Sequence, residues 1–416
     1  MKKISLILTS IVLVVSVLLN VTGCMTVSAT NLMDGISPNN VTYLSNMNEG
    51  NISAADFAVR LVNAVNVDGE NTLISPLSVM LALAMTVNGA NGDTLSEMET
   101  VLGMKKDELN RYLYTYVDSL PKGDKYKLSI ANSIWFTEDP RFSVNRDFLQ
   151  TNADYYGADV YKAPFDNTTL RDINNWVKNK TDKMIPKVLD ELSADAVMYL
   201  VNALAFEAEW SKIYEDHQVR DGKFTKEDGT EQNVEFMYSS DGKYIEDESA
   251  TGFIKYYKDC KYAFAALLPN EGVSVSEYAA SLDGEKLNTI LSGAMSVALN
   301  TSIPKFKTEY SKEMSEILCE MGMPTAFDSK NADFKGLGES VGRNIFINNV
   351  IHKTFIEVGE KGTRAGAVTV IVMNDATACP PDEIKEVHLD RPFVYMLIDC
   401  ENNVPFFIGT MMDVNG

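Results

Sequence analysis

The chain has 416 residues, 45% hydrophobic and 23% charged, a composition that supports a sizeable core and excludes wholesale disorder. Its 58 acidic against 37 basic residues give a formal charge of −21, and no run of Lys or Arg exceeds two. Nucleic acid is therefore excluded as a partner, because phosphate binding needs a basic face, and anionic lipid is repelled.

The first two dozen residues stand apart. Lys2 and Lys3 make a short cationic start, and the apolar stretch from Ile4 to Leu19 completes the pattern of an export signal over residues 1–23. It ends in Val21-Thr22-Gly23-Cys24, which resembles the lipobox of bacterial lipoproteins. That resemblance implies a lipidated Cys24 and a secreted protein, either on the extracellular face of the bacterial membrane through its acyl chains or released from it. Residues 24–50 are rich in Asn, Ser, Thr and Gly without a sustained period, so a flexible tether is expected there. No linker follows, and residues 51–416 read as a single domain.

Within that domain Phe57, Leu61, Val62 and Val65 recur at helical spacing. Ser75-Pro76 joins a preferred N-cap to a preferred first helical residue, and the apolar run Leu77 to Val87 predicts a buried helix. Thr94, with Glu97 three residues on, predicts a second start closed by a capping box, and Gly103 its stop. Strands are predicted at Leu128 to Trp135, Val197 to Phe206, Ala263 to Leu268, Val297 to Ile303, Phe393 to Ile398 and Phe406 to Met411. Helices and strands fall in blocks and do not alternate, which points to an α+β fold.

Motifs for chemistry are missing. His217, His352 and His388 are the only histidines, none in a motif, and there is no G-x-S-x-G elbow, H-E-x-x-H helix or phosphate loop. Cys260, Cys319, Cys379 and Cys400 are widely spaced with no C-x-x-C pair, which supports neither a zinc site nor a disulfide framework. No metal or cofactor is expected, and an enzyme is the weaker reading.

Five segments, in order, carry a resemblance. Asn71-Thr-Leu-Ile-Ser-Pro-Leu-Ser78 with Gly89-Ala-Asn-Gly-Asp-Thr94, Ile173-Asn-Asn-Trp-Val177, and Leu200-Val-Asn-Ala-Leu-Ala-Phe206 up to Trp210 are similar to successive serpin signatures. Glu357-Val-Gly-Glu-Lys-Gly-Thr363 resembles the serpin hinge, and Asp390-Arg-Pro-Phe393 with Pro405-Phe-Phe-Ile-Gly409 the closing signature. The resemblance covers roughly Ile52 to Val414. It implies a serpin fold of three β-sheets with eight or nine helices and an exposed reactive-centre loop at residues 360–390 or thereabouts. It also implies a suicide inhibitor of serine proteases: a protease attacks the loop, and the severed loop enters the main sheet before the acyl-enzyme can hydrolyse.

A segment that slides between two strands must present small, uncharged side chains to the core, and period-two alternation tests this. Counting from Glu360 and Gly362, the positions Thr363, Ala365, Ala367 and Thr369 share one face and are all small, while Arg364, Gly366 and Val368 share the other. The β-branched run Val370-Ile-Val372 favours a strand once the loop is cut. With Glu360 as the first of the family's usual loop positions, the resemblance places the scissile bond at Ala376-Thr377, with Met373, Asn374, Asp375 and Ala378 as neighbouring subsites. A small residue before the cut suits a shallow pocket, so the expected partners are serine proteases of the elastase type, resembling neutrophil elastase or proteinase 3. Met373, Thr377 or Ala378 are alternative registers. Ser75, Ser78, Asn202 and His352 match the family's shutter beneath the sheet, and Trp210 its breach, where Lys305 is expected to pair with Glu360. A monomer is expected. A non-inhibitory binding protein of the same fold and, more remotely, a cell-surface hydrolase are the competing readings.

Overall fold

A computed structural model describes residues 28–193, 196–363 and 384–416. Nine α-helices occur among them: α1 Asn48–Val65, α2 Pro76–Val87, α3 Gly92–Leu102, α4 Lys106–Ser119, α5 Arg146–Tyr156, α6 Asn167–Lys180, α7 Val275–Ala280, α8 Gly284–Ser292 and α9 Ser315–Glu320. They surround three sheets of seven, six and four strands, and Phe142–Val144 pairs separately with Gly338–Ser340. The expected α+β class, sheet count and helix count all hold.

The seven-stranded sheet is built from β1 Thr30–Asn31, β2 Tyr126–Thr137, β3 Asp159–Ala163, β4 Met198–Glu209, β5 Phe306–Glu313, β6 Ile351–Gly359 and β7 Gly362–Thr363, in the order β1-β3-β2-β4-β7-β6-β5. Strand β7 is a two-residue wedge, antiparallel to both neighbours: Gly362 and Thr363 face Glu209 and Ala208 on β4, and Gly359 and Val358 on β6. Lower down no wedge intervenes, and Leu200 bridges Val350 directly in a parallel sense. The six-stranded sheet runs Thr72–Ile74, Val404–Met411, Phe393–Asp399, Tyr262–Pro269, Ala250–Tyr256 and Lys243–Glu246. Its middle strands are buried along their whole length, so they read as continuous apolar runs in place of alternation.

Helix α2 lies between these sheets, packed on β4 on one side and on Val404–Met411 on the other. That position explains its composition, since all of its residues are buried and a polar stripe would have no water to face. It starts as expected, with Ser75 Oγ accepting from Ser78 N at 3.3 Å and Pro76 at the first helical position. Helix α3 stops as expected at a left-handed Gly103, φ 73°.

Two expectations are corrected. Thr94 and Glu97 form no capping box: α3 begins at Gly92, and both side chains turn to distant partners. Thr94 Oγ1 accepts from Asp333 N at 2.9 Å, and the Glu97 carboxylate accepts from Thr325 N at 2.9 Å and Oγ1 at 2.6 Å. These tertiary bonds satisfy the same groups that a local box would use. The segment read as a tether is, from Ser28 onward, docked on the body. Its β1 pairs with β3, Leu44 N donates to Thr115 Oγ1 at 3.0 Å, and Tyr43 donates to Asp118 at 2.8 Å while stacking on Tyr114. Leu32, Met33, Ile36, Leu44 and Met47 pack on the core one at a time, which is why no period announced them.

Candidate functional site: a gap in the central sheet

The wedge is seated by geometry that only its own residues permit. Gly362 has φ 152°, and a Cβ there would lie 1.9 Å from Ala208 O, so glycine alone fits. Thr363 is 1% exposed and points into the core, where its Oγ1 and Tyr257 OH share a hydrogen bond. The inward parity assigned to Thr363 is thus what the structure displays.

Above the wedge the turn is gripped by its carbonyls. Trp210 Nε1 donates to Gly359 O at 2.8 Å, Trp210 N to Lys361 O at 2.9 Å, and Tyr214 N to Glu360 O at 3.0 Å. The Trp210 ring stacks on Tyr257 with centroids 4.4 Å apart and planes within 4°. Lys305 Nζ reaches Glu360 at 2.7 Å and Glu235 at 2.9 Å. Burial pushes the Glu360 carboxyl up, but the hydrogen bond and charge of Lys305, a backbone hydrogen bond and the charge of Lys361 together outweigh it and hold the group below its ordinary range. With side chains 30% and 40% exposed, the Lys305–Glu360 pair contributes little stability and serves to orient the turn.

Below the wedge lies a line of polar groups between α2 and the sheet. His352 Nε2 accepts from Ser75 N at 3.1 Å, so its proton sits on Nδ1. Burial pushes its pKa down to about 4, and the ring is neutral at pH 7. Ser75 caps Ser78, Ser78 Oγ donates to Asn202 Oδ1, and Asn202 Nδ2 donates to Asn132 Oδ1, directly opposite in the β2–β4 register. Asn132 in turn donates to Tyr156 O at 3.5 Å. Ser75, Ser78, Asn202 and His352 therefore form one connected series, and Trp210, Lys305, Glu360, Gly362 and Thr363 a second cluster above it.

Sequence reasoning missed Asn132, Tyr257, Tyr214 and Lys255. Asn132 alone left a signal, an amide that with Ser133 interrupts the apolar residues Ile130-Ala131 and Ile134-Trp135 of a predicted strand. Cys24, Ala365, Ala367, Thr369, Met373, Asn374, Asp375, Ala376, Thr377 and Ala378 lie outside the described residues. Among the described residues no group of three or more His, Cys, Asp or Glu is placed to hold a metal ion, and no helix is long and apolar enough to cross a membrane.

The arrangement can accept a strand. β4 and β6 run parallel, parted at the top by β7 and meeting below at Leu200 and Val350, so an antiparallel segment continuing from Thr363 between them would have a strand to pair with on each side.

The family model described as Serpin (serine protease inhibitor) matches residues 53–414. An uncharacterized serpin-like protein of Thermococcus kodakarensis is 28% identical over 354 residues, covering 83% of this chain and 81% of its own. The leukocyte elastase inhibitor of Equus caballus is 28% identical over 371 residues, covering 85% of this chain and 96% of its own. The solved structure of the thermophilic serpin Tengpin in its native state is 48% identical, covers 92% of this chain and 99% of its own, and superposes with a TM-score of 0.88. For Tengpin in its latent state, at 44% identity and covering 91% of this chain and all of its own, the TM-score is 0.78.

Proposed function

This chain belongs to the serpin family, whose members are generally protease inhibitors and not catalysts, and from that premise we propose that it is a suicide-substrate inhibitor of elastase-like serine proteases. The observation that carries the reading is the wedge: the first inward residue of the loop, Thr363, already occupies the top of a gap whose two walls run parallel.

Continuing the register of β7 downward gives the inserted strand a definite address. Ala365 falls opposite Phe206, Ala367 opposite Leu204, and Thr369 opposite both Asn202 on β4 and His352 on β6. The inward positions thus meet Phe206 and Leu204, where small side chains are needed, and then a hydroxyl arrives among the polar groups of Asn202 and His352. In the inserted strand Val368 and Val370, of opposite parity, would face away from α2.

In the proposed reaction the protease serine attacks the carbonyl carbon of Ala376. The Ala376–Thr377 bond breaks, the new amine leaves with Thr377, and an ester joins Ala376 to the enzyme. Insertion of residues 364 onward then carries the acylated protease away before water can cleave the ester. The small Ala376 supports the target class, as does the likeness to a relative named leukocyte elastase inhibitor. The apolar start and Cys24 support export and a lipid anchor, and with them a site of action outside the cell.

Incubation with elastase tests the reading. A covalent adduct that survives detergent, with the chain cut between Ala376 and Thr377, is the expected result. Clean cleavage without an adduct would mean a substrate or a non-inhibitory binding protein, and the proposal would fail.

A further inference from the structure

Lys255, on the strand Ala250–Tyr256, is wholly buried. Its Nζ donates to both oxygens of Asp241, each at 3.0 Å, and stands over two rings, 4.4 Å from the Tyr214 centroid and 5.6 Å from that of Trp210. A lysine here must shed its whole hydration shell, and a methionine would fill the same space without that cost. The ammonium therefore serves something other than filling.

What the two rings share is the turn above the wedge. Trp210 and Tyr214 between them hold three consecutive carbonyls, those of Gly359, Glu360 and Lys361. Both rest on one cation, which is itself fixed by a bidentate carboxylate on a different segment. Cation–π attraction to two desolvated rings is strong enough to fix their rotation.

We propose that Lys255, held by Asp241, is the positioning residue for the hinge: it locks Trp210 and Tyr214 so that the turn at residues 359–361 stays fixed while the chain beyond Thr363 enters the sheet. The proposal rests on the inhibitor reading for its consequence. An attacked loop is shared between insertion and hydrolysis of the ester, and a loose pivot slows only insertion. Loss of the cation therefore diverts molecules to cleavage while leaving the protease's first attack unchanged.

The test uses the full chain carrying Lys255→Met, Asp241→Asn or Lys255→Arg. Hydrogen exchange at the Trp210 and Tyr214 amides in K255M should quicken by about tenfold, the size expected for losing desolvated cation–π contacts. Amides of Ile408 and Gly409 on the strand Val404–Met411, further across the same sheet, should keep their protection. With pancreatic elastase, K255M should need several times more inhibitor per protease inactivated at an unaltered rate of acylation, and K255R, which keeps a cation for both rings and the carboxylate, should restore both readouts. D241N, which leaves the core filled, should shift the same two amides and covers the case in which K255M fails to fold. Equal protection in variant and parent, or protection lost evenly through the six-stranded sheet, overturns the assignment. Should the unaltered chain form no adduct, the inhibitor reading falls by itself, and the exchange comparison still decides the role of Lys255.

Discussion

Replacing His352 with glutamine should flatten the acid side of this protein's stability curve. The ring is 4% exposed and burial pushes its pKa down to about 4, against about 6.5 in an unfolded chain. Between those values the unfolded chain binds a proton that the folded one refuses, so stability falls as the pH drops below 6.5 and the loss ends near 4. Each pH unit in that window removes about 1.4 kcal/mol, which integrates to about 2 kcal/mol between pH 7 and pH 5. A protonated ring also can no longer accept from Ser75 N, so the start of α2 loses its link to the sheet. The assay is the urea midpoint of both proteins at pH 7, 6 and 5, read as the difference between their slopes, which cancels carboxylates common to both. Glutamine can still accept from Ser75 N but does not titrate. Parallel pH dependences would refute the reasoning, because they would mean that His352 takes up its proton equally in both states.

Three further changes probe the gap. Thr363→Arg places a charge at a site 1% exposed, an uncompensated burial of about 3–5 kcal/mol, and should turn the inhibitor into a substrate on a denaturing gel. A full yield of adduct from that variant would remove Thr363 from the hinge. Gly362→Ala should lower the thermal midpoint, since its Cβ would collide with Ala208 O at 1.9 Å and strained backbone costs about 1–3 kcal/mol; an unmoved midpoint would show that β7 is not seated there. Ala376→Arg should shift second-order inhibition rates toward trypsin-like enzymes by at least about tenfold, and unchanged selectivity would place the scissile bond elsewhere.

What could be read from the chain was whatever is local or periodic. Ser75-Pro76 announced α2 because a cap and a proline act within one turn, and the apolar run after it leaves no polar face. Parity along the loop predicted that Thr363 points inward because alternation is a property of any strand. Trp210, Lys305 and Glu360 were brought together only through resemblance; nothing in their spacing says that they meet. Lys255 and Asp241 were invisible for a different reason. A charged residue in a strand ordinarily marks the wet face, and only the rings of Trp210 and Tyr214 folded over it show that this one is dry. Thr94 and Glu97 failed in the opposite direction, a correct local motif outcompeted by partners more than 200 residues away. The docking of residues 28–47 escaped notice because contacts made singly, by Tyr43 or Leu44, leave no pattern behind.

The two residues of β1 have an effect out of proportion to their length. They occupy the outer side of β3, where Leu32 N also donates to Val160 O at 2.8 Å, and so close the flank of the central sheet. Trimming the chain past Leu32 would strip that flank and leave a row of unanswered amides and carbonyls open to a neighbouring molecule. A proteolytic nick near the N-terminus would thus bare the outer edge of β3 for pairing with another strand, with the hinge and the turn untouched.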